Sequence, residues 1–159
     1  MRTFIYPARF EGQPCIAVTF RDVGEAAAHG RNEKDALRQA ADRLEAAIAA
    51  RIARGMEIPA ASRPEPGERL VPVPASMAAK AALYLAMREA RLTNVALARK
   101  LGCDEKEVRR MLDPNHATKL PRIKEALDAL GKRLVLSVED AAQSLVPAAS
   151  RLFSTQSET

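Results

Sequence analysis

The stretch Leu92–Leu112, LTNVALARKLGCDEKEVRRML, leaves its part of the chain few ways to fold. Thr93 is placed to cap a first helix, and Val95, Leu97, Ala98 and Leu101 supply an apolar side. Gly102 falls where that helix must stop, because glycine accepts the left-handed conformation at a helix end. Asp104 then opens a second helix, with Glu107 three residues on, which is a capping box with aspartate in the serine position. Val108, Met111 and Leu112 point inward, and Lys106, Arg109 and Arg110 are left outside. Two capped helices across a glycine turn, with a basic outer face, form the layout of a DNA-binding helix-turn-helix whose second helix enters the major groove. Lys106, Arg109 and Arg110 are then the expected groove contacts. Thr93 and Asn94 are the expected phosphate contacts, since a helix start presents free N–H groups.

Charge supports this placement. Residues 1–68 carry ten Lys/Arg and ten Asp/Glu, whereas residues 69–159 carry fifteen against ten. The whole surplus of +5 therefore lies in the second half, where phosphate neutralisation would need it. No apolar run approaches the length of a membrane span, and proline and charge enter the first twelve residues too early for a signal peptide. Cys15 and Cys103 have no metal-like spacing and read as reduced thiols of a cytoplasmic protein.

The first half reads as an α+β layer. Arg2–Phe10 and Cys15–Phe20 predict a β-hairpin around Glu11-Gly12-Gln13-Pro14, with Ile16, Val18 and Phe20 on one face and Thr19 on the other. Ala26–His29 predicts a short third strand. Asn32 caps a long helix in which Leu37, Ala41, Leu44, Ile48 and Ile52 recur at helical spacing, and Gly55 stops it. Pro59–Gly67 has the composition of a stiff linker, and Leu70–Val73 adds a further strand that Pro72 and Pro74 confine to an edge. Beyond it, Ser76 is the expected cap of a helix over Lys80–Ala90. Another helix follows Pro121, with Ile123, Leu127 and Leu130 inward. Arg133–Glu139 alternates as a strand, with Leu134, Leu136 and Val138 on one face. A lone strand needs a partner, so these three are the expected dimer interface. The expected organisation is a small sheet with one long helix in domain 1–74 (59–67 as linker), an all-α helix-turn-helix domain with a C-terminal strand in 75–140, and a disordered tail over 141–159.

An active site is not legible. Glu11, Asp22 and Glu25 lie at turns, and Asp35, Asp42 and Glu45 lie on a solvated helix face. None forms the tight carboxylate cluster that metal-dependent nuclease chemistry requires. His29 and His116 have no paired nucleophile, and no glycine-rich phosphate loop is present. No catalysis, metal or cofactor is expected.

The order of parts resembles the HicB antitoxins of bacterial toxin–antitoxin pairs. The resembling residues are Tyr6-Pro7-Ala8-Arg9-Phe10, Val18-Thr19-Phe20-Arg21-Asp22-Val23, Gly30-Arg31-Asn32 leading into Asp35-Ala36-Leu37, and Ile58-Pro59. Leu92-Thr93, Leu97-Ala98, Leu101-Gly102 and Ala129-Leu130-Gly131 resemble the helix-turn-helix carried by one branch of that family. Arg21, Glu25 and Ala26 depart from its pattern of proline, glycine and cysteine. The resemblance implies a degenerate ribonuclease-H-like first domain without nuclease function. It also implies a HicA-like toxin partner that cleaves mRNA, and repression of the shared operon through double-stranded operator DNA. Asp22 and Glu25 are the acidic residues expected to approach a basic toxin. One short reading helix binds too weakly alone, so a homodimer or higher homo-oligomer is expected. Two other readings remain open at this point. One is a stand-alone DNA-binding regulator whose first domain senses a ligand or oligomerises; the other is a nucleic-acid-processing enzyme.

Overall fold

Alternation of apolar residues along short runs builds the sheet. The computed structural model describes residues 1–140. Its first strands are β1 (Ile5–Glu11), β2 (Ile16–Phe20) and β3 (Ala28–Gly30), followed by helix α1 (Glu33–Ala53) and strand β4 (Glu68–Pro72). The four strands form one antiparallel sheet in the order β3-β2-β1-β4. Register pairs Ala8 with Phe20 and Arg69, Tyr6 with Val71, and Val18 with Ala28, so all these residues share one face. Tyr6, Ala8, Val18, Phe20, Ala28 and Val71 are buried on it, together with Ala36, Ala40 and Leu44 of α1. Two ties lay α1 against this face. Arg69 bonds Glu33 at 3.0 Å, and Gly30 approaches Ala36 so closely that an added Cβ would stand 2.2 Å from the Ala36 nitrogen.

The helix start follows the expected chemistry. Asn32 Oδ1 accepts the Asp35 N–H at 2.9 Å, and the Asp35 carboxylate in turn accepts from the Arg31 N–H and from Arg38. The Arg31 N–H bond, then the Arg38 bond, hold the Asp35 carboxyl below its ordinary range. Of the expected α1 stripe, Leu44, Ile48 and Ile52 are buried, while Leu37 and Ala41 are half-buried beside the fully buried Ala36 and Ala40.

The chain divides into two compact units. Among the described residues, the first comprises Met1–Ala47 and Pro59–Val73 together with residues 138–140; the second comprises Ile48–Ile58 and Pro74–Ser137. The second unit contains helices α2 (Ala75–Glu89), α3 (Asn94–Leu101), α4 (Glu105–Leu112) and α5 (Leu120–Ala129). Its core is aliphatic: Leu83, Met87, Leu97, Val108, Met111, Ile123 and Leu127 are buried together.

Several expectations are corrected. The third strand is Ala28–Gly30 rather than Ala26–His29. Gly24–Ala26 curls into a 3₁₀ turn, closed by the Ala26 N–H on Val23 O at 3.0 Å, which buries Val23 and Ala26. Helix α2 begins at Ala75 with Pro74 as its cap residue, so Ser76 lies in the first turn. Val95 is 45% exposed rather than part of the apolar side of α3. The expected strand Arg133–Glu139 is absent: residues 132–140 have no regular structure. An alternating pattern makes no ladder without a neighbour, and every described strand belongs to the sheet of the first unit. Leu134 packs on the helical core, while Leu136 and Val138 are 61% and 99% exposed. The expected tail over 141–159 lies outside the described residues.

Replacing Gly30 by alanine would drive a methyl group into the Ala36 backbone, so β3 and α1 must separate locally. Gly30→Ala is expected to lower stability by about 1–3 kcal/mol through overpacking. The measurement is thermal unfolding followed by circular dichroism, with the exposed Gly24→Ala as a control.

Candidate nucleic-acid interface

Sequence-encoded caps fix the geometry of α3 and α4. Thr93 Oγ1 accepts the Ala96 N–H at 3.1 Å, and Asp104 Oδ1 accepts the Glu107 N–H at 2.8 Å. Between the helices Gly102 takes φ 63°, the left-handed region, and Cys103 N–H closes the turn on Ala98 O at 3.0 Å. The N–H half of the capping box therefore forms. The Glu107 carboxylate is drawn elsewhere: Arg122 of α5 donates to it through Nε at 2.6 Å and also bonds Glu125. These bonds, Glu107 first, hold the Arg122 guanidinium above its ordinary range. Cys103 is half-buried, and that burial is the leading cause that pushes its thiol up.

Lys106, Arg109 and Arg110 are all exposed, and their spacing on α4 puts them opposite the buried Val108 and Met111. The three stand in different surroundings. Arg109 is held by Glu105, with Nε at 3.0 Å and Nη2 at 2.8 Å from the same carboxylate oxygen. It lines a shallow groove of about 280 Å³ together with Asn94, Tyr84, Leu112 and Pro114. The Arg110 carbonyl belongs to a buried polar cluster described below. Asn94 is half-buried at the first position of α3, and the Thr93 hydroxyl is committed to its cap. The structure thus gathers Asn94 and Arg109 at one groove.

Sequence reasoning missed Lys80. On a helix with alternating alanines it reads as a solvated lysine, yet it is 3% exposed. Its ammonium donates to Met111 O at 3.0 Å, Arg110 O at 3.3 Å and Thr118 Oγ1 at 3.1 Å, and Thr118 Oγ1 itself donates to Arg110 O at 3.1 Å. These are the carbonyls that a helix leaves unpaired at its C-terminus. A cation there also meets the negative end of the helix dipole. Burial lowers the Lys80 ammonium from its ordinary value, with the Asp113 carboxylate opposing.

In the first unit, Asp22 and Glu25 have different environments. Asp22 Oδ2 accepts from Ser62 N at 2.9 Å and Ser62 Oγ at 3.0 Å. Glu25 is exposed in the 3₁₀ turn. Arg21, which stands where the family pattern has proline, bonds the buried Glu68 through Nε and Nη2, and donates to Arg63 O. Tyr6 Oη reaches Pro59 O at 2.8 Å. The proline-rich segment 59–67 is therefore tied along its length to the first unit. No partner for Arg21 could be assigned from the sequence, because Glu68 is 47 residues away from it. Among the described residues, no group of three or more His, Cys, Asp or Glu could hold a metal ion. No described helix is long and apolar enough to cross a membrane.

Residues 5–82 match the family of HicB-like antitoxins of bacterial toxin–antitoxin systems. The chain is 41% identical over 132 residues to Antitoxin HicB 2 of Photorhabdus laumondii, which covers 82% of this chain and 94% of that relative. It is 34% identical over 123 residues to Antitoxin HicB 1 of the same organism, covering 77% of each chain. It is 33% identical over 119 residues to Antitoxin HicB of Escherichia coli K12, covering 75% of this chain and 86% of the relative.

Removing the buried ammonium tests how α4 is held. Lys80→Met conserves the aliphatic stem but strips the donor from the Met111 carbonyl. An unsatisfied buried acceptor costs about 1–3 kcal/mol. Thermal unfolding is expected to show that loss, and the protection of α4 amides against hydrogen exchange is expected to fall more than that of the sheet.

Proposed function

The chain belongs to the family of HicB-like antitoxins of bacterial toxin–antitoxin systems, and on that premise we propose that it neutralises a HicA-like, mRNA-cleaving toxin and represses its own operon. In this reading the first unit, which we take as a reduced ribonuclease-H-like layer, masks the toxin. The α3–turn–α4 pair is the helix-turn-helix that binds operator DNA. The neutralising role is carried by the match to Antitoxin HicB 2 across nearly that relative's whole length. The DNA-binding role is carried by the capped helix pair that exposes Lys106, Arg109 and Arg110 on one face.

Arg109 and Arg110 reach base edges, Lys106 adds charge in the groove, and Asn94 with the N–H groups that follow Thr93 meets phosphate. Toxin contact falls on the side of Asp22 and Glu25. Asp22 acts there by holding Ser62, and Glu25 by its exposed charge. Co-expression with the adjacent reading frame, followed by mass measurement of the co-purified complex and a growth-rescue assay, tests the neutralising role. An Arg109→Ala/Arg110→Ala double variant is expected to lose at least about tenfold in operator affinity at fixed salt, since each base contact is worth about 1–3 kcal/mol. The same variant is expected to rescue growth fully. Unchanged operator affinity would remove these residues from the interface.

The assembly is a homodimer or larger, because one short reading helix buries too little surface to bind operator DNA tightly. Leu134, Leu136 and Val138 are its proposed contact. Leu136 and Val138 are exposed and alternate with the half-buried Leu134, and such a segment gains a ladder and a covered face when two copies pair. Leu136→Pro is expected to shift the mass measured by light scattering towards the monomer while the circular dichroism of the fold is retained. A retained oligomer would place the contact elsewhere.

A further inference from the structure

Three acidic residues stand at the start of α4, and the structure uses each differently. Asp104 caps the helix, and Glu107 holds Arg122 of α5. Glu105 alone holds a member of the outward basic trio. One oxygen of its carboxylate accepts from Nε of Arg109 at 3.0 Å and lies 2.8 Å from Nη2 in the same ion pair. Nε and Nη2 form the side edge of the guanidinium. Nη1 and the outer N–H of Nη2 form its end edge, and this is the donor pair left for a ligand. Two parallel donors at that spacing match the O6 and N7 acceptors of guanine.

We propose that Glu105 is a specificity-determining positioning residue: it occupies the side edge of Arg109 so that the arginine meets DNA with its end edge, as a base reader rather than a phosphate clamp. The inference rests on the DNA-binding reading above. An unrestrained arginine satisfies its donors on any nearby phosphate, which raises affinity for all sequences alike. Holding one edge within α4 removes that freedom and places a negative charge near the backbone, which weakens indiscriminate binding. Glu105 therefore lowers affinity for random DNA and raises discrimination.

The experiment uses the full chain and two probes. One is a duplex enriched from a random pool by the wild-type protein; the other is its scrambled counterpart. Affinities for both are measured at fixed salt for wild type, Glu105→Ala, Glu105→Gln, Arg109→Ala and the Glu105→Ala/Arg109→Ala pair. Thermal melts confirm that each variant is folded. Glu105→Ala is expected to bind the scrambled duplex more tightly and to lose about tenfold in the selected-to-scrambled ratio. Its loss of preference should fall at the same base pair that Arg109→Ala affects, with no further loss of preference in the double variant. Glu105→Gln keeps a carbonyl acceptor for Arg109 without the charge, so it should bind scrambled DNA more tightly yet keep the ratio within about threefold. Equal loss of preference in Glu105→Ala and Glu105→Gln would show a charge effect alone and overturn the proposal. Wild-type discrimination in Glu105→Ala would also overturn it. If wild type enriches no duplex at all, the DNA-binding reading itself fails, and this assignment fails with it.

Discussion

One ammonium group inside an aliphatic core governs how the second unit closes. The core there is built from Leu, Ile, Val, Met and Ala, with no tryptophan in the chain, so it offers few polar partners of its own. The last turn of α4 nevertheless delivers the Arg110 and Met111 carbonyls to its edge. Lys80 resolves the conflict from α2, across 31 residues of chain, and recruits Thr118 to the same cluster. Its methylene stem packs as an apolar residue while the head satisfies the carbonyls. A medium-sized apolar side chain would fill the space but leave those acceptors unpaired, which is the more expensive fault. With this end fixed by Lys80 and the other by Asp104, the eight residues of α4 have little freedom to tilt.

The second fastening of α4 is at its flank. Arg122 bridges Glu107 of α4 and Glu125 of its own helix, α5. Both carboxylates are substantially exposed, so the gain in stability is modest. Its effect is one of orientation: it turns the flanking acid away from the outward face and leaves Lys106, Arg109 and Arg110 there.

Much of this was legible because local rules and tertiary packing agree. Thr93, Gly102 and Asp104 each dictate a backbone event at their own position, and each event occurs. Pro72 placed its strand at a sheet edge, and β4 is an edge. Where local and long-range demands part, the sequence misleads. Lys80 has the pattern of a surface residue and is buried against an acceptor pair 30 and 31 residues away. Arg21 and Glu68 find each other only after the sheet has formed, and no spacing rule encodes that pairing. Arg133–Glu139 shows the opposite failure. Its alternation is real, but a strand is a property of two segments, and the described residues pair no second segment with it. Residues 59–67 have the composition of a spacer, yet three side chains of the sheet unit fasten them down.

The division of the chain into units has an evolutionary corollary. Residues 48–58 belong to the helical unit, although the sheet unit precedes and follows them in the sequence. The reading frame of the helical unit is therefore not one uninterrupted stretch of gene. A recombination event that transplanted codons 74–137 onto another protein would leave behind Ile52 and Ile58, two buried side chains of the unit it meant to move. A transfer that kept the helical core whole would have to carry the late turns of α1 with it, and sequence drift there is answerable to both units.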